Sequence, residues 1–545
     1  MFSQNEKEII GQVLEINTLK PISFATVQIK NTKLGVIADE EGYFRLPYVY
    51  KEKKGSIIIT SIGYQKREIA LASLKDGVVN TIAISVQTES LGVVNLKFKK
   101  KKRLSARQIV KKAIANIPRN LPSIPHAYIG YYRDYKLLDD EYVNLNEGIV
   151  EVFDGGIQTD KIGDSLNQSV LYKYALNENF KRNKLLEKPY DNRDSKYIID
   201  RLKYIEGARV TPLGGNELSI LNLHDPIRNY NEFSFSFIDV FENDFIKNHD
   251  FRLIGKTLLN ELSIYEIAFT ALVDAKRKRY KISGKIFIET TNFAIHKIEY
   301  ESFQSAISTN FESIQYASNS KAISNEKFKP FYSLKLQYSR IRDKMYLNYI
   351  SFNNSFRLDT EEGFFVKDFL YDKIDNAFFV EFSSDVPASL LVDSRSDKLN
   401  GVSSIRKITP RYVEVNNVKN YLVKYRNISL EIKDVEILKP NLIKINLKNT
   451  DLLKLSNRNI KNHLKYEIYN LKDVYGRDIN QVDVFDVYQF REFFIQEVFV
   501  DKEIPDDLEF VEKSKNLTKS KINTLDNVSR YWINTPLRKI KEKSR

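Results

Sequence analysis

The stretch Ala25-Thr26-Val27-Gln28-Ile29-Lys30, followed by Gly35, the turn Asp39-Glu40-Glu41-Gly42 and then Phe44 and Leu46, decides the fold at the start of this 545-residue chain. Ala25, Val27 and Ile29 alternate with Thr26, Gln28 and Lys30, the period of two that gives a strand one buried face. The polar turn separates this strand from the next apolar pair, and its glycine supplies the freedom a reversal needs. Upstream, Gly11 and Val13 open a first strand and Pro21 closes the turn after it. Downstream, Ile57-Ile58-Ile59 form a continuous apolar run, and Gly63-Tyr64 mark a further turn. The pattern predicts a sandwich of seven or eight strands over residues 8–95, with no helix longer than two turns. Val27 and Phe44 are expected inside it, and Gly42 and Gly63 in turns.

The remaining length requires more than one core, and two to four domains are expected. Phe (33) and Tyr (32) far outnumber Met (2) and Trp (1), and they fall in short runs with Ile and Val. That composition suits pleated, half-buried surfaces, so the chain reads as mainly β. Cysteine is absent, which excludes disulfides, thiolate metal sites, cysteine nucleophiles and a lipid anchor on cysteine in this form. No run approaches the ~18 apolar residues of a spanning helix. The net charge of +14 is spread along the chain with no nucleic-acid motif, and it reads as a lysine-rich solvated surface.

Five segments follow from these patterns. Residues 1–96 form the sandwich, and 97–126 a basic linker and an amphipathic helix. Residues 127–400 form a large antiparallel β domain, 401–500 a second β domain, and 501–545 a polar tail anchored at Tyr531-Trp532. In the linker, Ser105 and Gln108 have the capping-box spacing. Ile109, Val110, Ala113, Ile114 and Ile117 then share one helical face, and Pro118 is expected to end the helix. The middle region opens on a hairpin, 127–153, turning at Asp139-Asp140. Residues 154–205 read as loop or short helices, and strands resume from 231 to about 385. Phe490–Val500 reads as a last strand or helix on the second β domain.

Catalytic motifs are not found. His126, His224, His249, His296 and His463 are scattered, with no pair at zinc-protease spacing. His224-Asp225 and His249-Asp250 are adjacent, but neighbours in an extended chain point opposite ways, so both pairs read as ordinary loop surface. His296 shares a strand face with Ile298 and Tyr300 and reads as a satisfied histidine at the core's edge. No nucleophile elbow, phosphate loop or dinucleotide fingerprint occurs. Asp39, Glu40 and Glu41 read as a polar turn, not a calcium loop. No catalytic, cofactor-binding or metal residue is assigned, and no cofactor is expected.

Five resemblances add to this. The ordered set Gly11, Pro21, Ala25, Val27, Gly35, Asp39, Gly42, Phe44, Leu46, Gly63 and Tyr64 resembles the carboxypeptidase-regulatory-like domain. That module is a transthyretin-like or CnaB-like sandwich frequent in cell-envelope proteins of the Bacteroidetes; the resemblance implies a fold and a habitat, not a reaction. The segment Gly284–Tyr300 is similar to a half-barrel lipoprotein-carrier-like sheet, and Ser105–Ile114 with Gly130-Tyr131-Tyr132-Arg133-Asp134 resembles longer envelope proteins of that group. Leu471-Lys472-Asp473-Val474-Tyr475-Gly476-Arg477 is similar to the end of a bacterial immunoglobulin-like domain. Phe2-Ser3-Gln4 resembles the remnant of an export signal, with Met1 ahead of it. The expected architecture is an N-terminal β-sandwich, a large curved antiparallel sheet with a covering helix, and a C-terminal immunoglobulin-like sandwich. The expected protein is a non-enzymatic exported scaffold or binding protein in the periplasm or on the periplasmic face of the outer membrane. Its partner would be an envelope protein or an apolar ligand, met on the central sheet. The alternatives are a carboxylate-dependent hydrolase of glycans or peptides and an outer-membrane β-barrel component.

Overall fold

The computed structural model describes residues 8–87, 103–186, 216–305, 328–387, 415–448 and 463–534, apart from short gaps inside these stretches. The chain divides into two units, Met1–Phe356 with Asp486–Arg545, and Arg357–Phe485. Of the basic run Lys97–Arg103, only Arg103 lies among the described residues, and the turn Asp139-Asp140 lies outside them.

The first unit begins with seven strands: β1 (Glu8–Glu15), β2 (Thr26–Ile29), β3 (Gly35–Ile37), β4 (Tyr43–Pro47), β5 (Ser56–Thr60), β6 (Arg67–Ala70) and β7 (Val79–Ile84). They form two sheets, ordered β4-β1-β7 and β3-β2-β5-β6. The β1–β7 pair is parallel and the other pairs are antiparallel. The one α-helix here, α1 (Val49–Glu52), is a single turn. Val27 and Phe44 are buried, and Gly42 and Gly63 take positive φ in turns. Asp39 shapes the reversal, its Oδ1 accepting the N–H groups of Glu41 (3.1 Å) and Tyr43 (2.7 Å).

Helix α2 (Ala106–Ala115) starts at the expected box: Ser105 Oγ accepts the Gln108 N–H at 3.3 Å, and Gln108 Oε1 accepts the Ser105 N–H at 2.9 Å. Pro118 does not stop the chain's helical course but sits in the first turn of a second short helix, α3 (Ile117–Asn120), where its missing N–H costs nothing. Ser105→Ala removes one capping acceptor from an exposed position, and urea unfolding should show a loss of about 1 kcal/mol.

The chain then builds β8 (His126–Leu138), β9 (Glu141–Asp154), β10 (Gln168–Leu176), a small ribbon β11 (Phe233–Phe235) and β12 (Asp239–Val240), and β13 (Asp250–Leu259). It continues through β14 (Leu262–Ala275), β15 (Lys278–Glu289), β16 (Ile295–Ser305), β17 (Phe328–Ile341) and β18 (Lys344–Asp359). Helices α4 (Glu217–Leu223) and α5 (Asp244–Asn248) lie between β10 and β13 in sequence. The second unit supplies β19 (Val366–Asp372), β20 (Ala377–Phe382), β21 (Tyr421–Tyr425), β22 (Ile428–Ser429), β23 (Ile432–Lys439), β24 (Leu442–Leu447) and β25 (Leu464–Ile468), after which β26 (Val484–Phe499) re-enters the first.

One open ten-stranded sheet dominates, ordered β10-β9-β8-β26-β18-β17-β16-β15-β14-β13. Strand β26 is the main departure from expectation: it lies between β8 and β18 instead of closing the C-terminal domain. Its run Phe493-Phe494-Ile495 is buried throughout, as a central strand covered on both faces must be. Gly130 on β8 permits the close approach of β26, because a Cβ there would lie 2.2 Å from the Phe494 carbonyl oxygen. Strand β10 falls where a loop was expected. Strands β19 and β20, expected in the central sheet, pair instead with β24 in a second-unit sheet ordered β19-β20-β24-β23. Phe378, Val380 and Phe382 there meet Ile443 and Ile445; alternation predicts a strand but not which sheet it joins. A sheet ordered β22-β21-β25 completes that unit's sandwich. Its Asp473 accepts the N–H groups of Tyr475 (3.0 Å) and Arg477 (2.9 Å), and Gly476 has φ +80°, the expected Asp–Gly turn.

Each face of the large sheet has a cover. On one, Ile109, Val110 and Ile114 of α2, Leu218 and Leu221 of α4, and Phe245 of α5 share a core with Tyr128, Tyr132, Ile267, Ile298 and Phe493. On the other, the sandwich shares a core with Ile129, Tyr131, Ile149, Tyr349 and Phe494, together with Tyr531 and Trp532 of the tail. The sandwich therefore does not bury an independent core. The tail also ties it down: Trp532 Nε1 donates to the Arg45 carbonyl at 2.9 Å, and Asn534 Oδ1 accepts the Arg45 N–H at 2.8 Å. Along the β10 edge, the N–H groups of Val511 and Asn523 donate to the carbonyls of Ser169 and Leu171, both at 2.8 Å. This occupies strand-edge groups that would otherwise invite foreign pairing.

Candidate functional site

Charged side chains lie buried at the end of β9 on the helix-covered side. Asp154 accepts from Lys161 Nζ (2.9 Å) and from Arg228 Nε and Nη2 (both 2.9 Å), all three residues being buried. Arg228 Nη2 also donates to the carbonyls of Gly156 (2.7 Å) and Thr159 (3.0 Å). Burial opposes charge on Asp154, yet the Lys161 and Arg228 cations hold its carboxyl well below the usual carboxylate range. Asp225, beside it, accepts the N–H groups of Ile227 (3.0 Å) and Arg228 (2.9 Å) and the Tyr338 hydroxyl (2.7 Å). Burial outweighs those bonds and raises its pKa. His126, whose pKa burial lowers, closes the cluster. The enclosed space is about 20 Å³, the room for roughly one water. The groups have acid–base chemistry but no volume for a substrate.

A second polar network seats α4 on the sheet. Asn216 caps the helix by accepting the Ser219 N–H at 2.8 Å. Glu217 in its first turn then pairs with Arg491 and Gln489 of β26. Asp134 of β8, bonded to Asn146 (3.0 Å) and Tyr132 (3.1 Å), is pushed up to about 6 by burial and by the nearby Glu217 charge.

The junction of sandwich and sheet is more accessible. Phe24 stacks on Tyr349 at 4.8 Å, and the Tyr349 hydroxyl donates to Glu492 at 3.0 Å. Arg133 Nε donates to the same carboxylate at 2.6 Å. Asp39 reaches this point from its turn, and burial pushes its pKa up to about 7 against the pull of Arg133 and the Tyr43 N–H. Beside the junction runs a groove of about 230 Å³ whose walls include Glu40, Glu301, Phe303, Lys335, Tyr488 and Phe490. Lys335 bonds Glu40 at 2.5 Å and lies 4.7 Å from the Phe24 ring centre. Phe490 stacks on Tyr135 at 4.8 Å, whereas Tyr488 is 39% exposed. The groove thus offers aromatic faces beside carboxylate and ammonium groups, a combination suited to holding a ligand.

The two His–Asp pairs are not loop surface. His224 is buried and stacks on Phe352 at 3.6 Å, while Asp225 turns into the charged cluster. His249 is buried among Phe245, Phe251 and Phe269, donates through Nδ1 to the Phe245 carbonyl at 3.2 Å, and is lowered to about 4 by burial. The polar residues around both pairs suggested solvent, but much of that polarity is satisfied internally. His296 is half satisfied and fully buried, not at an edge: its Nε2 lies 3.0 Å from Glu289, while its Nδ1 has no hydrogen-bond partner among the described residues. His463 lies 6.3 Å from the Tyr425 ring. Among the described residues, no three His, Cys, Asp or Glu side chains converge as a metal site. Sequence reasoning missed His126, Asp154, Lys161 and Arg228, which carry no spacing motif and meet only through the fold.

No curated protein matches the chain. Among solved structures, the crystal structure of LolA superfamily protein NE2245 from Nitrosomonas europaea is similar at 11% identity, over 46% of this chain and 86% of that one. Its TM-score of 0.17 is too low to carry an argument about fold or function. Residues 9–96 match the family model of the CarboxypepD_reg-like domain, so the first sandwich is a regulatory-type module and not a catalytic one.

Proposed function

We propose that this is a non-enzymatic binding or scaffold protein, exported to the cell envelope, whose ligand or partner docks in the groove between sandwich and central sheet. The observation that carries this is the groove itself: accessible aromatic side chains from β26 and β16 face a turn of the regulatory-type sandwich. The buried ionisable groups support the same reading, because they are engaged with one another around a space the size of one water. The envelope location rests on the sandwich's resemblance to modules common there. No helix among the described residues is long and apolar enough to cross a membrane, and among those residues the large sheet is open, with β10 and β13 at its edges.

Two measurements test the proposal. A broad panel of glycan and peptide hydrolase substrates should show no turnover, with or without added zinc or manganese; turnover abolished by one carboxylate substitution overturns the non-enzymatic reading. Affinity purification from the native envelope should recover a defined partner with the intact chain and lose it with Tyr488→Ser plus Glu301→Lys. Equal recovery by that variant removes the groove from the proposal.

A further inference from the structure

A second crevice follows the same junction and differs in chemistry. Its space is about 330 Å³, with Thr26 and Lys33 on the sandwich side and Arg340, Asn348 and Glu497 on the sheet side. Arg340 Nη2 donates to Glu289 at 2.5 Å, but its Nε–H is buried with no hydrogen-bond partner. Glu289 does not depend on Arg340 alone, since His296 Nε2 (3.0 Å) and the Thr291 hydroxyl also bond it. Lys33 is exposed at the turn between β2 and β3 and makes no ion pair among the described residues. Glu497 is the one carboxylate on the lining, and it already accepts the Tyr531 hydroxyl at 2.6 Å and faces Arg530 at 3.4 Å. Asn348 Nδ2 reaches Thr26 Oγ1 at a long 3.3 Å.

The lining therefore carries two cationic side chains to one carboxylate: Arg340, half-buried and paired through one Nη with Glu289, and exposed Lys33, against Glu497, which is engaged with Tyr531 and Arg530. A planar guanidinium on the sheet wall and an ammonium on the sandwich wall suit a tetrahedral oxyanion better than a neutral ligand. The geometry points to this crevice as a binding site for a phosphate group, held by Arg340 from the sheet and Lys33 from the sandwich. The site is separate from the aromatic groove, and its occupant touches both parts of the first unit at once. The space exceeds a bare phosphate, so a phosphoryl group on a larger molecule fits as well as the free ion.

Calorimetric titration of the intact chain with inorganic phosphate at low ionic strength tests this, together with flotation on phosphatidylglycerol and phosphatidylcholine vesicles. Saturable phosphate binding is expected, weakened about tenfold in Lys33→Gln, which loses one charge-assisted contact at an exposed turn. Arg340→Gln should abolish it. Flotation on phosphatidylglycerol but not phosphatidylcholine, lost in the same variants, identifies an anionic lipid headgroup as the source. The proposal is overturned if neither phosphate nor phosphatidylglycerol vesicles bind, or if Lys33→Gln binds as the wild type does. That second variant keeps the test valid should Arg340→Gln unfold through its contact with Glu289.

Discussion

Asp154→Ala should cost about 3–5 kcal/mol in urea unfolding, because it leaves Lys161 and Arg228 charged and buried with their shared counter-ion gone. Asp154→Asn, which keeps an acceptor oxygen, should cost less. Replacing Asp154, Lys161 and Arg228 together by apolar residues of similar volume should recover much of the loss, since each charge left in place is then removed. The pH dependence has a definite sign. The folded Asp154 pKa lies well below the ordinary carboxylate value, so its contribution is present above about pH 4 and fades as pH falls toward the folded pKa. Wild type and Asp154→Ala should therefore converge in strong acid. Equal stability at neutral pH would show that the cluster does not hold the helix-side loops to the sheet.

Asp39→Asn should do the opposite and stabilise the protein. Its pKa, raised from 3.8 to about 7, means the folded state resists the charge that the unfolded chain accepts freely. Below about pH 4 both states are protonated, and variant and wild type should be equally stable. Between about pH 4 and 7 the wild type loses stability as pH rises, and above 7 the loss is complete. A shift of this size corresponds to about 4 kcal/mol. Asp39 keeps part of its surface in solvent, so about 2 kcal/mol is the more realistic gain. The amide oxygen of Asn preserves the bonds to Glu41 and Tyr43, so the turn survives the exchange. Urea midpoints at pH 4 and pH 8 decide it: a gain at pH 8 that vanishes at pH 4 is expected, and a gain independent of pH would rule out charge burial as its cause.

How much of this was legible in the sequence depends on the range of the interaction that writes it. The sandwich was legible because its signals are local: period-two strands, glycine turns and an aspartate that ties its own reversal. The capping box before α2 was readable for the same reason. Membership of sheets was not. Strand β26 and strands β19–β20 show the same apolar alternation, yet one sits mid-sheet in the first unit and the others in the second. What distinguishes β26 is burial of successive residues on both faces, and Phe493-Phe494-Ile495 states that in sequence, though without naming its neighbours. Sequence reasoning placed the binding surface on the central sheet alone, and the sandwich wall of the groove was not readable, because Glu40 meets Lys335 only in three dimensions. The charged cluster was invisible for the same reason: Asp154 lies 74 positions from Arg228, and the residues match no motif.

The place of β26 also sets an order of events in time. The sheet's two portions, β8–β10 and β13–β18, are hydrogen-bonded to each other through a strand that begins at Val484. The Arg133–Glu492 ion pair that ties β8 to this strand spans 359 positions of chain. A growing polypeptide therefore presents the sandwich strands early, but it holds two interior strand edges, on β8 and β18, unpaired until residues 484–499 have been made. Closing contacts of such long range is slow, and open edges in the interval favour association with other chains. The strand Val484–Phe499 is thus a keystone, and the two flanks of the sheet stand as one only once it is set between them.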